Sequence, residues 1–196
     1  MKLSEALKVS SRCNGANAAR AVLYTAKVEG VLIATRLNGV NEYDPRQRII
    51  FLSLHAYHRA TAESIAIGAH EAGHAVQHAR GYLPFVIRAV LFTPARVAAL
   101  LLPLLFLTAL IFHTHWLVAV VVAGYACLIA FHLLTLPIEA DASNRGHAAL
   151  LTTGLVEFGG ADSQAVKRVL RSMLRSYVFS FLLAPLWLVV RLAKRQ

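Results

Sequence analysis

The chain has 196 residues, of which 57% are hydrophobic and 15% charged, and its formal net charge is +10. That balance lies well away from an ordinary soluble protein, and the length allows a single domain that includes membrane segments. The positive charge does not point to nucleic acid. The basic residues flank apolar runs, with Arg80, Arg88 and Arg96 before one and Lys167, Arg168, Arg171 and Arg175 before another. Cations are held at an anionic lipid surface in this way, and no aromatic-interleaved basic stripe or finger motif appears.

The N-terminal stretch "MKLSEALKVSSRC" has no apolar h-region, so no signal peptide is expected. Neither Cys13 nor Cys127 belongs to a CxxC pair, which argues against a thiolate metal site or a disulfide framework. From Gly15 to Lys27, "GANAARAVLYTAK" is alanine-rich and predicts a helix. Three short strands follow, at about 31–37, 40–43 and 48–53. Asn38-Gly39 signals a hairpin, Asp44-Pro45 makes a second turn, and together they predict an antiparallel meander. A sheet this small needs a helix over one face.

The covering helix contains "GAHEAGHAVQHARG", Gly68 to Gly81. Thr61 or Ser64 can cap its start, and Gly81 with Pro84 nearby ends it. Gly68 and Gly73 each cost about 1 kcal/mol relative to alanine. With Ala66, Ala69, Ala72 and Ala75 they leave little girth on one side, where another backbone can approach.

Two apolar runs come next. Val97 to Phe112, with some preceding residues, approaches the ~20 residues of a membrane span, and Trp116 to Leu134 makes a second. Their connection has no Lys or Arg. Under the positive-inside rule the tip faces outward and both ends face the cytoplasm, giving a multi-pass protein of the cell membrane. Pro137 then opens a helix over 137–154, ending near Gly154. A basic helix from about Ala161 runs into "YVFSFLLAPLWLVVRLA", a hydrophobic C-terminal helix that crosses the membrane at a tilt or lies in the interface.

The chemistry sits in "HEAGH". Residues four apart lie on one helix face, roughly 6 Å apart along the axis, so His70 and His74 can turn both imidazoles to one divalent ion. Glu71 cannot ligate alongside them, but it can reach a water bound to that ion and act as general base. His78 is about 12 Å from His70 along the axis, too far for one ion to be shared with it. A third ligand must therefore come from elsewhere. The candidates are Glu139, Asp141, His132 and His147, and Glu139 is the best placed. It follows the second apolar run directly, and a carboxylate near apolar surface needs a partner. Asp141 falls about 200° further round the helix, and His132 lies within the apolar run.

"YDPRQRIIFLS", "SIAIGAHEAGHAVQHA" and "LPIEADASNRGHAAL", in that order around a hydrophobic hairpin, resemble the neutral zinc metallopeptidases of bacterial membranes (YugP-like). The resemblance covers roughly Gly15 to Tyr177. It implies one Zn2+ per chain, held by His70, His74 and Glu139 in the glutamate-ligand (gluzincin) arrangement, with Glu71 as catalytic base. It also implies an α+β, predominantly α fold. A zincin-like soluble part (a small antiparallel sheet plus the metal-binding helix) would carry an inserted transmembrane hairpin and a C-terminal hydrophobic helix. Residues 1–196 then form one membrane-embedded metallopeptidase domain: 1–82 soluble, 97–134 hairpin, 137–154 the helix bearing the glutamate, and 161–193 the basic-to-hydrophobic segment. Members tend to carry His where this chain has Glu42, and related membrane gluzincins carry Asp where it has Ser143.

The implied activity is that of a zinc metalloendopeptidase acting on peptide or membrane-protein substrates at the bilayer, with its active site on the cytoplasmic side. Arg145, His147 and Tyr57 are candidate donors to the developing oxyanion, and the strand near Arg48–Leu54 could pair a substrate if it is an edge. A non-catalytic membrane protein with a structural zinc site is the alternative. It would have no use for Glu71 and would close the site with a fourth protein ligand. A transporter using His113, His115 and His132 is a further class, but two of these three lie in the connection.

Overall fold

A computed structural model describes residues 13–37 and 39–176. Asn38, the N-terminal stretch before Cys13 and the hydrophobic segment expected over 177–193 lie outside the described residues. The chain forms two compact units: residues up to Arg80 together with those from Glu139 onward, and Gly81–Ile138. The secondary structure is mostly helical, with one small sheet.

In the first unit, α1 (Gly15–Thr25) starts where the Asn14 side chain accepts from the Asn17 backbone N–H at 2.9 Å. The strands are β1 (Leu32–Arg36), β2 (Glu42–Asp44) and β3 (Ile49–Ser53). They do not form the expected meander. The order is β1-β3-β2, with β3 parallel to β1 and antiparallel to β2. "IIFLS" is the most apolar and β-branched of the three strands, and it takes the centre, where Ile50 and Leu52 are wholly buried. Instead of folding β2 back onto β1, the chain after β1 passes across the end of β3. There the Asn41 side chain accepts from the Ser53 backbone N–H at 2.7 Å. Arg36 on β1 lies over the Phe51 ring, 3.9 Å from its centroid, and forms an ion pair with Glu42 on β2. The outer strands are thus tied across the central one. The Asp44 turn forms as expected: its carboxylate accepts from the Arg46 and Gln47 backbone N–H groups.

A short helix α2 (Leu54–His58), capped by Ser53, leads to α3 (Ala62–Ala79), capped by Thr61. Gly81, at φ +59°, ends α3 as a left-handed C-terminal residue. Fourteen of the eighteen α3 residues are buried, which makes it the central helix of this unit. Its two glycines serve different neighbours rather than one thin side. A Cβ on Gly68 would strike the Gly15 backbone of α1, and one on Gly73 would strike the Ala142 backbone. Five residues separate them, about 140° around the helix.

In the second unit, α4 (Leu83–Ile111) begins well before the expected start at Val97 and contains Pro94 and Pro103. After a turn in which His113 takes φ +51°, α5 (His115–Thr152) begins. The expected break at Pro137 does not occur. Pro137 is interior to α5, and the helix ends just before Gly154 at φ +69°. A proline costs a helix one backbone hydrogen bond and a local bend, and a long helix held on both sides of it can absorb that loss. Between α4 and α5, Leu102, Ala109 and Val121 are buried and Gly124 sits against the Leu102 side chain. Leu100, Leu104 and Val122 expose more than 60% of their surface. Both helices are long and apolar enough to cross a membrane.

Residues from Glu139 onward in α5 return to the first unit. Ala142 and Gly146 lie against Gly73 and Ala69, and Leu150 joins the core. The expected helix after Ala161 is present over 161–176, with Val166 and Leu170 in that core. A methyl on Gly146 would meet the Ala69 carbonyl and Cβ, atoms that cannot rotate away. Gly146→Ala is therefore expected to destabilise by a net ~1–2 kcal/mol, overpacking outweighing the helix-propensity gain. Gly124→Ala meets the side chain of Leu102, which can rotate, and should cost less. Thermal unfolding of the two variants in detergent checks this order.

Candidate metal centre

The α3 helix presents His70 and His74 one turn apart, with ring centroids 4.7 Å apart and planes at 79°. Both Nε2 atoms point at a single carboxylate oxygen of Glu139: 3.1 Å from His70 and 3.4 Å from His74. One donor atom from each of the three residues lies within 4.8 Å of the others. The site is largely enclosed, with side chains 8%, 10% and 14% exposed for His70, His74 and Glu139.

The far side of each imidazole is also held. His70 Nδ1 lies 2.9 Å from Ser143 Oγ, and His74 Nδ1 lies 3.0 Å from Gln77 Oε1. Gln77 in turn donates to Asp141 at 2.8 Å, and Arg145 donates to the same Asp141 oxygen at 2.5 Å. Glu71, buried on the neighbouring face of α3, accepts a hydrogen bond from the Tyr43 backbone N–H of β2.

The two carboxylates of the site are driven in opposite directions. Burial raises the Glu71 pKa. The nearby His70 and His74 pull it back, while Glu139 pushes it further up. Burial would also raise Glu139, but hydrogen bonds from His70 and His74 outweigh it and hold that carboxyl well below the usual range. For His74, burial acts to lower the pKa. The Glu139 hydrogen bond, the charges of Glu71 and Glu139 and the Gln77 acceptor reverse this, leaving it raised.

Among the four candidates for a third ligand, Glu139 is the one brought to the histidine pair. Asp141 goes to Gln77 and Arg145, and His147 bonds Ser163 Oγ at 3.0 Å. His132 belongs to the other unit. His78 bonds the Tyr43 hydroxyl at 2.9 Å and is outside the three-donor cluster. The candidate oxyanion donors are engaged with other groups: Arg145 with Asp141, His147 with Ser163, and Tyr57 with Arg20 at 3.3 Å. The strand expected as a substrate-pairing edge, β3, is central and bonded on both sides, so β2 is the edge that faces Glu71.

Sequence reasoning missed Gln77, the Tyr43 N–H and the pairing of Asp141 with Arg145. Gln77 did carry a signal, as a lone amide one turn after His74 on an otherwise small and apolar helix face. The Tyr43 contact carried none, because it joins a strand to a helix.

Two imidazole nitrogens and one carboxylate oxygen, converging and held from behind, match the donor set of a zinc site. A family model described as "Putative neutral zinc metallopeptidase" matches residues 2–195. Over 183 residues, 91% of this chain and 79% of the relative, the sequence is 30% identical to the "Putative membrane protease YugP" of Bacillus subtilis (strain 168). No solved structure matches.

Because the His74 pKa is raised in the metal-free site, an arriving divalent ion must displace a proton from it. Metal affinity should therefore fall as pH drops through the His74 titration, by about tenfold per pH unit for one proton released, and level off above it. Calorimetry in buffers of different ionisation enthalpy would count that proton.

Proposed function

Because the chain belongs to this family of zinc metallopeptidases, we propose that it is a membrane-bound, zinc-dependent metalloendopeptidase with Glu71 as its general base. One observation carries the reading: two Nε2 atoms and a carboxylate oxygen converge while a second carboxylate, raised in pKa, stands on the adjacent helix face. His70, His74 and Glu139 would hold the ion. Among the described residues three donors converge, and a three-donor set would leave a coordination position for water or substrate, which favours a catalytic over a structural site.

Zinc bound there supplies a Lewis acid that polarises the scissile carbonyl and acidifies the attacking water. Glu71 takes the proton from that water and passes it to the leaving amine. The upward shift of its pKa makes the carboxylate a better proton acceptor than a solvated glutamate. The Tyr43 N–H holds the carboxylate in place. Enclosure of the donors strengthens their electrostatic effect by limiting water around them.

The substrates are peptides or membrane proteins met at the bilayer. Support for that location comes from the two long apolar helices and from the membrane protease among the relatives. Arg88 and Arg96 lie in the first half of α4, and the α4–α5 connection has neither Lys nor Arg. That asymmetry favours an outward tip and a site on the cytoplasmic side of a multi-pass protein.

Wild-type protein in detergent is expected to cleave an unfolded or membrane-derived peptide, lose activity to chelator and regain it with zinc. Glu71→Gln should keep stoichiometric zinc and lose about 10²–10⁴-fold in turnover, and Glu139→Ala should lose zinc. Full turnover by Glu71→Gln would end this mechanism. For the topology, a reporter inserted between Phe112 and His115 should score as external, and a cytoplasmic score would reverse the assigned orientation.

A further inference from the structure

The two histidines of the site are supported in unequal ways. Behind His70 stands a hydroxyl, Ser143 Oγ at 2.9 Å, and a hydroxyl can donate or accept. It is compatible with either neutral tautomer of the ring. Behind His74 stands an amide, and its orientation is set by what lies beyond it.

Gln77 is wholly buried. Asp141 Oδ2, 2.8 Å from its amide nitrogen, is a carboxylate oxygen and can only accept, so the NH2 of Gln77 must face it. Arg145 Nε, a donor with no acceptor capacity, occupies that same oxygen at 2.5 Å. The Gln77 amide oxygen is thereby turned to His74 Nδ1 at 3.0 Å. An amide oxygen cannot donate, so Nδ1 must keep a proton, and Nε2 is the ring nitrogen that can give up its proton and turn a lone pair to a metal. That is the nitrogen facing Glu139 and the converging donors.

We propose that Gln77 and Asp141 are positioning residues: the run Arg145–Asp141–Gln77 fixes the His74 tautomer and so presents the Nε2 lone pair to the metal. The proposal rests on the reading that His70, His74 and Glu139 hold zinc. His74 and the three members of the run all come from α3 and α5, the helices that supply the three donors. It also places a neutral group behind each imidazole, Ser143 for His70 and Gln77 for His74, while the Glu139 carboxylate faces both Nε2 atoms. The Asp141 charge reaches His74 only through an amide and is countered by Arg145.

Two readouts test the run on the full chain in detergent: zinc affinity by competition with a chromophoric chelator, and ring ¹⁵N shifts of His74 in metal-free protein. Gln77→Leu removes the acceptor and should weaken zinc binding about 10–100-fold, with loss of the Nδ1–H ¹⁵N signature. Asp141→Asn can offer Gln77 either a donor or an acceptor, so it should fall between wild type and Gln77→Leu. The double variant Gln77→Glu/Asp141→Asn keeps an acceptor at His74 Nδ1: the new carboxylate accepts from His74 Nδ1 and from the new amide, and Arg145, which shared the Asp141 oxygen with Gln77, turns to the remaining side-chain oxygen at position 141. It should restore both zinc affinity and the Nδ1-protonated signature, and it remains informative if leucine at the buried position prevents folding.

Gln77→Leu or Asp141→Asn with wild-type zinc affinity and an unchanged His74 tautomer would overturn the proposal. So would a double variant no better than Asp141→Asn alone. Failure of the metal reading looks different: wild type would bind no zinc, or His74→Ala would bind it as tightly. The ¹⁵N readout, taken without metal, would then still decide the run on its own.

Discussion

Everything at the site depends on how closely the backbones of α3 and the later part of α5 approach each other. A helix carrying H-E-x-x-H supplies two donors and a base from one turn, but it cannot supply the third donor. A glutamate carboxylate reaches only a short way from its own backbone. With ordinary side chains between them, helix axes pack 8–10 Å apart. Here Gly73 lies against the Ala142 backbone and Gly146 against Ala69, so main chain meets main chain. The stripe Glu139, Ala142, Ser143, Gly146 on α5 delivers the carboxylate, the two small contacts and the His70 partner in two turns. The small residues are therefore as much a part of the site as the residues that would touch metal.

The sheet performs a separate task, which is to hold Glu71. With the most apolar strand in the middle, β2 becomes an edge, and its Tyr43 N–H is directed to the Glu71 carboxylate. The Tyr43 side chain continues the contact to His78 further along α3. Arg36, Phe51 and Glu42 lock the two outer strands across the centre, which limits how far β2 can shift against β3. Glu42 thus serves the sheet, through its ion pair with Arg36.

The contrast between Glu71 and Glu139 shows how one environment gives two carboxylates different chemistry. Both are removed from water, and desolvation by itself raises both. Glu139 accepts from both imidazoles and is driven down. Glu71 has the imidazoles as neighbours, with Glu139 adding repulsion, and it stays up, which is the separation that the proposed division of labour would use.

Local features of this protein were legible in its residues. The caps at Thr61 and Gly81, the Asp44 turn, the α1 helix and the pairing of His70 with His74 follow from interactions among residues a few positions apart. Glu139 could be singled out as a carboxylate at the end of an apolar run, because burying its charge without a partner is costly. Strand order was not legible, since Asn38-Gly39 favours a hairpin locally while burial of Ile50 and Leu52 favours β3 at the centre, and burial is a property of the assembled unit. Nor was the continuity of α5, because a proline's effect depends on what holds the helix on either side. The Gln77–Asp141–Arg145 run and the Tyr43 contact lay beyond the sequence for the same reason. Residue types state what each group can donate or accept, but which groups meet across 60 or more residues of chain is decided only when the two helices cross.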